Sequence, residues 1–260
     1  MTQVRQPAVA GLFYPSSARE LRATVRRCLA SVSEDPAPKA IIAPHAGYIY
    51  SGPIAGTVYA RIAPAREQIR RVVLLGPSHH VAFHGLASSS ADAFETPLGL
   101  VPLDREAIES ALALPEVRVL DRAHAEEHSL EVQLPFLQEV LARFTLVPFT
   151  VGEASPEEVG EVIETLWGGP ETLIVVSSDL SHYHDYESAR RIDEATSRAI
   201  EALRYEDIQY EEACGRDPIN GLLYAARSRG LHALTLDLRN SGDTAGNRDR
   251  VVGYGAYAFQ

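Results

Sequence analysis

Three apolar runs in this chain end alike, on a small or turn residue and then histidine. They are Ile41-Ile42-Ala43-Pro44-His45, Val73-Leu74-Leu75-Gly76-Pro77-Ser78-His79-His80 and Val175-Val176-Ser177-Ser178-Asp179-Leu180-Ser181-His182. Each run has the length and bounding residues of a buried strand, and longer amphipathic stretches separate them, so the pattern is that of an α/β protein with helices on both faces of a sheet. In open α/β sheets ligands bind in the crevice beyond the carboxyl ends of the strands. Three strands are thereby expected to deliver imidazoles to one rim.

The expected strands are 40–43, 71–76, 144–151, 172–177, 233–237 and 251–259. The expected helices are 18–29, 54–62, 104–113, 129–142, 157–166, 186–203 and 219–229. Asp104 ahead of Arg105-Glu106-Ala107, and Ser155 ahead of Pro156-Glu157-Glu158, are helix starts with a capping oxygen followed by acidic residues or proline. The last strand follows a Gly/Asn/Asp-rich loop, which predicts an antiparallel addition to the sheet. No linker, low-complexity tract or internal repeat interrupts the 260 residues, so one domain, 1–260, is expected.

Composition narrows the partners. The net charge is −11 and Lys39 is the single lysine among 24 basic residues, which argues against nucleic acid. The Arg26-Arg27, Arg70-Arg71 and Arg190-Arg191 pairs fall on or beside amphipathic segments and read as solvated faces. The N-terminus lacks the apolar core of a secretory signal, and the apolar runs are far shorter than the ~20 residues needed to cross a bilayer. A cytoplasmic protein without a membrane partner is expected. Cys28 lies in a helical pattern and reads as a small core residue, whereas Cys214 lies in the turn-like Ala213-Cys214-Gly215-Arg216-Asp217-Pro218.

Five of the nine histidines, His45, His79, His80, His182 and His184, fall at strand ends, and His124 and His128 flank Glu126-Glu127. Imidazole is a common divalent-metal ligand and a base near neutral pH, so this distribution points to a metal or acid/base site. Two neutral imidazoles and one anionic ligand, with open positions, suit Fe(II), Zn(II) or copper. Spacing leaves the third ligand open among Cys214, Glu127, Asp179 and Asp243. Glu127 and His128 are equally suited to line a pocket or to cap the following helix. Tyr48 and Tyr50 are placed to line the pocket mouth, and 240–247 reads as a connecting loop.

The strings Ala43-Pro44-His45-Ala46-Gly47-Tyr48, Gly76-Pro77-Ser78-His79-His80, Glu127-His128-Ser129-Leu130-Glu131, Ser177-Ser178-Asp179-Leu180-Ser181-His182 and Cys214-Gly215-Arg216-Asp217-Pro218-Ile219 occur in this order. Together they resemble the Memo family, from Gly11-Leu12-Phe13-Tyr14-Pro15 to Gly253-Tyr254. That family is similar to class III extradiol dioxygenases, which implies a three-layer α/β/α fold around a mixed, mostly parallel sheet. The resemblance implies His45, His79 and Cys214 as metal ligands and His182 with Asp179 as the acid/base group; Tyr48, His80, Glu127 and His128 are expected around the pocket. Fe(II) is the implied ion, with Zn or Cu as alternatives. The extradiol enzymes complete their iron site with a carboxylate, and the thiolate of Cys214 in its place favours Zn(II), Cu(I) or redox chemistry. The chain looks most similar to the B component of the AmmeMemoRadiSam set, which implies a functional link to a radical-SAM protein.

Three functions compete at this level. The first is a non-haem iron oxidoreductase acting on a small phenolic or enolic substrate. The second is a metal-free hydrolase with Cys214 as nucleophile, His182 as base and Asp179 as its orienter. The third is a non-enzymatic module that binds a metal or a peptide in the same pocket.

Overall fold

The computed structural model describes residues 3–29 and 35–260. Its strands are β1 (Val4–Arg5), β2 (Ala40–Ala43), β3 (Arg71–Pro77), β4 (Leu86–Ser88), β5 (Ala93–Thr96), β6 (Gly99–Pro102), β7 (Val117–Val119), β8 (Thr145–Val151), β9 (Thr172–Ser177), β10 (His182–His184), β11 (Ala233–Asn240) and β12 (Val251–Phe259). Its α-helices are α1 (Ala18–Cys28), α2 (Tyr48–Ala60), α3 (Arg105–Ala111), α4 (Arg122–Ala125), α5 (Leu134–Val140), α6 (Pro156–Thr165), α7 (Tyr186–Glu201) and α8 (Arg216–Ser228).

Nine strands form the main sheet in the order β10-β12-β2-β9-β3-β8-β4-β7, with β11 on β12, while β1, β5 and β6 make a small second sheet. The centre, β2-β9-β3-β8, is parallel. Antiparallel pairing sits to either side, where β12 joins β2 and β4 joins β8. The central runs are buried almost throughout, as expected of parallel strands covered on both faces. Helices α1, α2 and α5 pack together, and α3, α6 and α8 form a second group, so helices flank the sheet. The sheet and both helix groups contribute to one apolar core.

Local sequence explains the helix starts. Ser17, Asp104, Ser155 and Asp185 each accept a backbone N–H of the first turn, and Ser155 with Glu158 forms a reciprocal capping box. Two expectations are corrected. Helix α2 begins at Tyr48 rather than at Ile54, with Pro53 inside it. The helix expected over 129–142 is a 3-10 turn, Glu131–Gln133, followed by the short α5. Pro135, in the first turn of α5, supplies no N–H to continue a helix from upstream, and the Glu131 and Gln133 side chains are drawn into buried hydrogen bonds.

Candidate metal centre

His45 lies two residues beyond β2 and His79 two beyond β3, so neighbouring parts of the parallel sheet bring them to one rim. Their rings meet edge to face at 5.2 Å. His128, between α4 and the 3-10 turn, stacks on His79 at 4.6 Å. One donor atom from each of His45, His79 and His128 lies within 4.8 Å of the others, and these three side chains could hold a metal ion. Two close approaches make this possible. A Cβ on Gly76 would come within 2.9 Å of Ser129 Oγ, so the bare backbone at the end of β3 lets the 127–130 segment reach His79. A Cβ on Gly215 would lie 2.6 Å from Ser178 Cβ, and the absent side chain lets Cys214 approach His45.

Hydrogen bonding fixes the tautomers. The Ser177 hydroxyl donates to Ser129 O at 2.6 Å and accepts from Gln133 Nε2 at 2.7 Å. Its one proton is therefore spent, so His45 Nδ1, 2.9 Å away, must be the donor, and His45 Nε2 is left as a bare lone pair. His79 Nδ1 lies 2.8 Å from the Glu127 carboxylate and donates to it, which frees its Nε2 in the same way. His128 has no such anchor, since its Nδ1 is 3.6 Å from Glu127. Burial, then repulsion from neighbouring imidazoles, holds His45 well below the usual imidazole range. Burial lowers His128 to about 4.

Glu127 is the hub behind the rings. Its carboxylate also accepts the backbone N–H groups of His79, His128 and Ser129. Burial alone would raise its pKa, but the hydrogen bonds and the charge of His79 hold it well below the carboxylate range. Its own carbonyl accepts from Arg5 Nη2 at 2.6 Å.

The other expected site residues divide. Cys214 Sγ lies 3.2 Å from His45 Nε2 but falls outside the three-imidazole group. Burial, then the Asp179 charge, pushes its thiol well up. Asp179 does not orient His182. Its carboxylate accepts the His45 backbone N–H at 2.7 Å, and burial raises its pKa to about 7. His182 instead donates from Nδ1 to Leu180 O at 2.8 Å, leaving Nε2 bare. Tyr48 is not at the pocket mouth: it is buried, with its hydroxyl donating to Val132 O, because helix α2 starts there and turns it into the core. Tyr50 is on the cavity wall in its place. His80 is exposed and off the wall, its ring 6.4 Å from His128. Asp243 accepts from the Tyr186 hydroxyl and is likewise off the wall.

The rim opens into a cavity of about 1180 Å³ whose wall includes His45, His79, His128, Asp179, His182 and Cys214. Sequence reasoning overlooked Ser177 and Gln133 as the pair that orients His45. It also overlooked Arg5, far away in the chain, and no local signal marked any of the three.

Fold and site together define a mixed-sheet α/β protein with a histidine-lined cavity at the carboxyl ends of its parallel strands. The profile of the Memo-like protein family matches residues 5–258, and the chain belongs to the Memo family. A MEMO1 family protein of Aquifex aeolicus is 40% identical over 264 residues, covering 97% of each chain. One from Archaeoglobus fulgidus is 36% identical over 271 residues, covering 99% of this chain and all of its own. Among solved structures, an uncharacterised protein of Escherichia coli K12 shares the fold, with a TM-score of 0.51 at 13% identity over 83% of this chain and 98% of that one. Among the described residues no helix is long and apolar enough to cross a membrane.

Proposed function

We propose that the cavity holds one divalent metal ion and that the protein performs dioxygenase-like oxidoreductase chemistry on a small phenolic or enolic substrate. The observation that carries this reading is the anchoring of His45 Nδ1 by Ser177 and of His79 Nδ1 by Glu127, which turns two bare Nε2 atoms to one space. Metal-binding histidines are held in this manner, because a fixed partner on the far nitrogen sets the tautomer, the ring plane and the donor strength. His45 and His79 are the first two ligands in this reading. Cys214 is the third, with His128 its rival: Cys214 lies beside His45 Nε2, while His128 stacks parallel to His79 and lacks an anchor. Fe(II) is the expected ion, and Zn(II) or copper gains ground if the sulfur ligates. When bound, the ion supplies a Lewis-acid centre that gathers substrate oxygens.

His182 presents a bare Nε2 on the cavity wall and accepts the proton of a substrate hydroxyl there. Burial lowers its pKa, so it enters as the free base. Asp179 positions the His45 backbone, and the aromatic side chains of Phe13, Tyr50 and Tyr254 exclude water from the cavity wall. The hydrolase alternative loses support, because its orienting carboxylate is engaged by the His45 backbone and not by His182.

Elemental analysis of protein purified without chelators, with metal titration of His79→Ala, Cys214→Ala and His128→Ala, tests the ligand set. Wild type is expected to carry about one equivalent of metal, and His79→Ala to lose it. Oxygen uptake with catechol-type compounds tests the chemistry. Wild type that neither carries nor takes up metal would overturn the reading.

A further inference from the structure

Asp179 serves the His45 backbone, and helix α7 brings a different carboxylate to the segment that leads into His182. Asp193, midway along α7, is buried to 2% exposure, and its Oδ1 accepts the Ser181 backbone N–H at 3.0 Å. That N–H belongs to the same peptide group as the Leu180 carbonyl, and the Leu180 carbonyl is the acceptor for His182 Nδ1 at 2.8 Å. The N–H and C=O of a trans peptide point in opposite directions and share one delocalised π system. Carboxylate, peptide and imidazole therefore form a single chain of hydrogen bonds. Charge on Asp193 polarises the peptide and makes the Leu180 oxygen a stronger acceptor, because hydrogen bonds in series reinforce one another in a buried setting.

Strand β12 holds the same peptide from its other side. Leu180 donates its N–H to Gly253 O, and Gly253 donates its own to Ser181 O, each at 2.8 Å. A Cβ on Gly253 would fall on Asp193 Oδ2, so the carboxylate fills the space that a side chain at 253 would take. Ser197 and Tyr257, beside Asp193, bond to each other at 2.6 Å, and among the described residues no cation lies against the carboxylate. The titratable neighbours of His182 are the imidazoles of His79 and His184. We infer that Asp193 is a positioning residue for His182: through the Leu180–Ser181 peptide it holds the imidazole in the Nδ1–H form, with Nε2 bare on the cavity wall. The peptide takes the place of the direct Asp179–His182 contact expected from the sequence. The consequence for proton transfer rests on the reading of His182 as the acid/base group; the tautomer does not.

The test reads the tautomer in metal-free protein by NMR of 15N-labelled histidine at about pH 8, where Asp193 is an anion and His182 is neutral. The His182 signals are assigned by their absence in His182→Gln. Wild type should be predominantly Nδ1–H, the form that an unconstrained histidine side chain disfavours. Asp193→Ala should shift the tautomer ratio toward Nε2–H by roughly threefold, as the loss of one reinforcing bond gives. Asp193→Asn, whose amide oxygen still accepts from Ser181 but carries no charge, should lie between the two. Asp193→Ser, too short to reach the Ser181 N–H, is the second variant should the alanine protein not fold. A carboxylate that merely supports the fold would leave the ratio unmoved. A His182 ratio equal to wild type in folded Asp193→Ala or Asp193→Ser, or wild type with Nε2–H predominant, overturns the proposal. Wild type inert toward catechol-type compounds, with the tautomer still dependent on Asp193, overturns only the acid/base reading of His182.

Discussion

Glu127 and Glu131 lie four residues apart on one segment, are buried to 2% and 1% exposure, and serve different ends. Glu131 is paired with Arg5 and accepts the Ala8 and Val9 N–H groups and the Tyr14 hydroxyl, so it ties the N-terminal segment to the body of the fold. Glu127 accepts from His79 through both side chain and backbone, and from the next two backbone N–H groups. A buried carboxylate acquires its role from the donors around it. Arg5 links the two, since it pairs with the Glu131 carboxylate and holds the Glu127 carbonyl.

The largest effect should come from Glu131→Gln, which leaves Arg5 as a buried charge without its counter-ion. Removing one partner of such a pair costs about 3–5 kcal/mol. Urea denaturation should show this loss, while metal uptake by the folded fraction stays within a few-fold of wild type. Unchanged stability with collapsed metal uptake would invert the assignment of the two glutamates.

Glu127→Gln should do the reverse. Loss of the carboxylate behind a ligating imidazole weakens metal binding roughly 10- to 100-fold. Competition with a chromophoric chelator reads that loss, and denaturation should show a smaller stability change than for Glu131→Gln. Equal metal affinity in the two variants would erase the distinction.

Asp193 extends the comparison to a buried carboxylate with no cationic partner among the described residues. It accepts the Ser181 N–H at 3.0 Å, and burial raises its pKa from 3.8 to about 6. Between those values the folded chain binds more protons than the unfolded one, so this group's contribution is complete below about pH 4 and is lost as pH rises through about 6. Asp193→Asn should flatten the stability profile over that window by on the order of 2 kcal/mol, measured by denaturation at successive pH values. A profile identical to wild type would show that Asp193 does not titrate there. The smallest effect belongs to Glu153, whose ion pair with His84 is almost fully exposed on both sides. Glu153→Gln should leave the melting temperature unchanged, because solvent and salt screen such a pair.

Much of the fold was legible in the chain. Strands β2, β9 and β12 match the expected boundaries residue for residue, since a run of β-branched and aromatic residues between turn residues carries its own signal. Short strands β4 to β7 escaped, because three or four residues make too little pattern to separate strand from loop. The antiparallel closure by β12 was legible from its alternating residues and the loop before it.

The site was legible in its types and not in its partners. Strand ends placed His45, His79 and His182 at the rim, and family likeness alone added Cys214. Sequence alone could decide this much because strand periodicity and chain direction are local properties. Only the tertiary structure decided that Ser177 and Glu127 fix the two tautomers and that Asp179 holds the His45 backbone and not His182. Those facts depend on which donors meet which acceptors after segments distant in the chain have packed together, and spacing along the chain carries no record of that meeting.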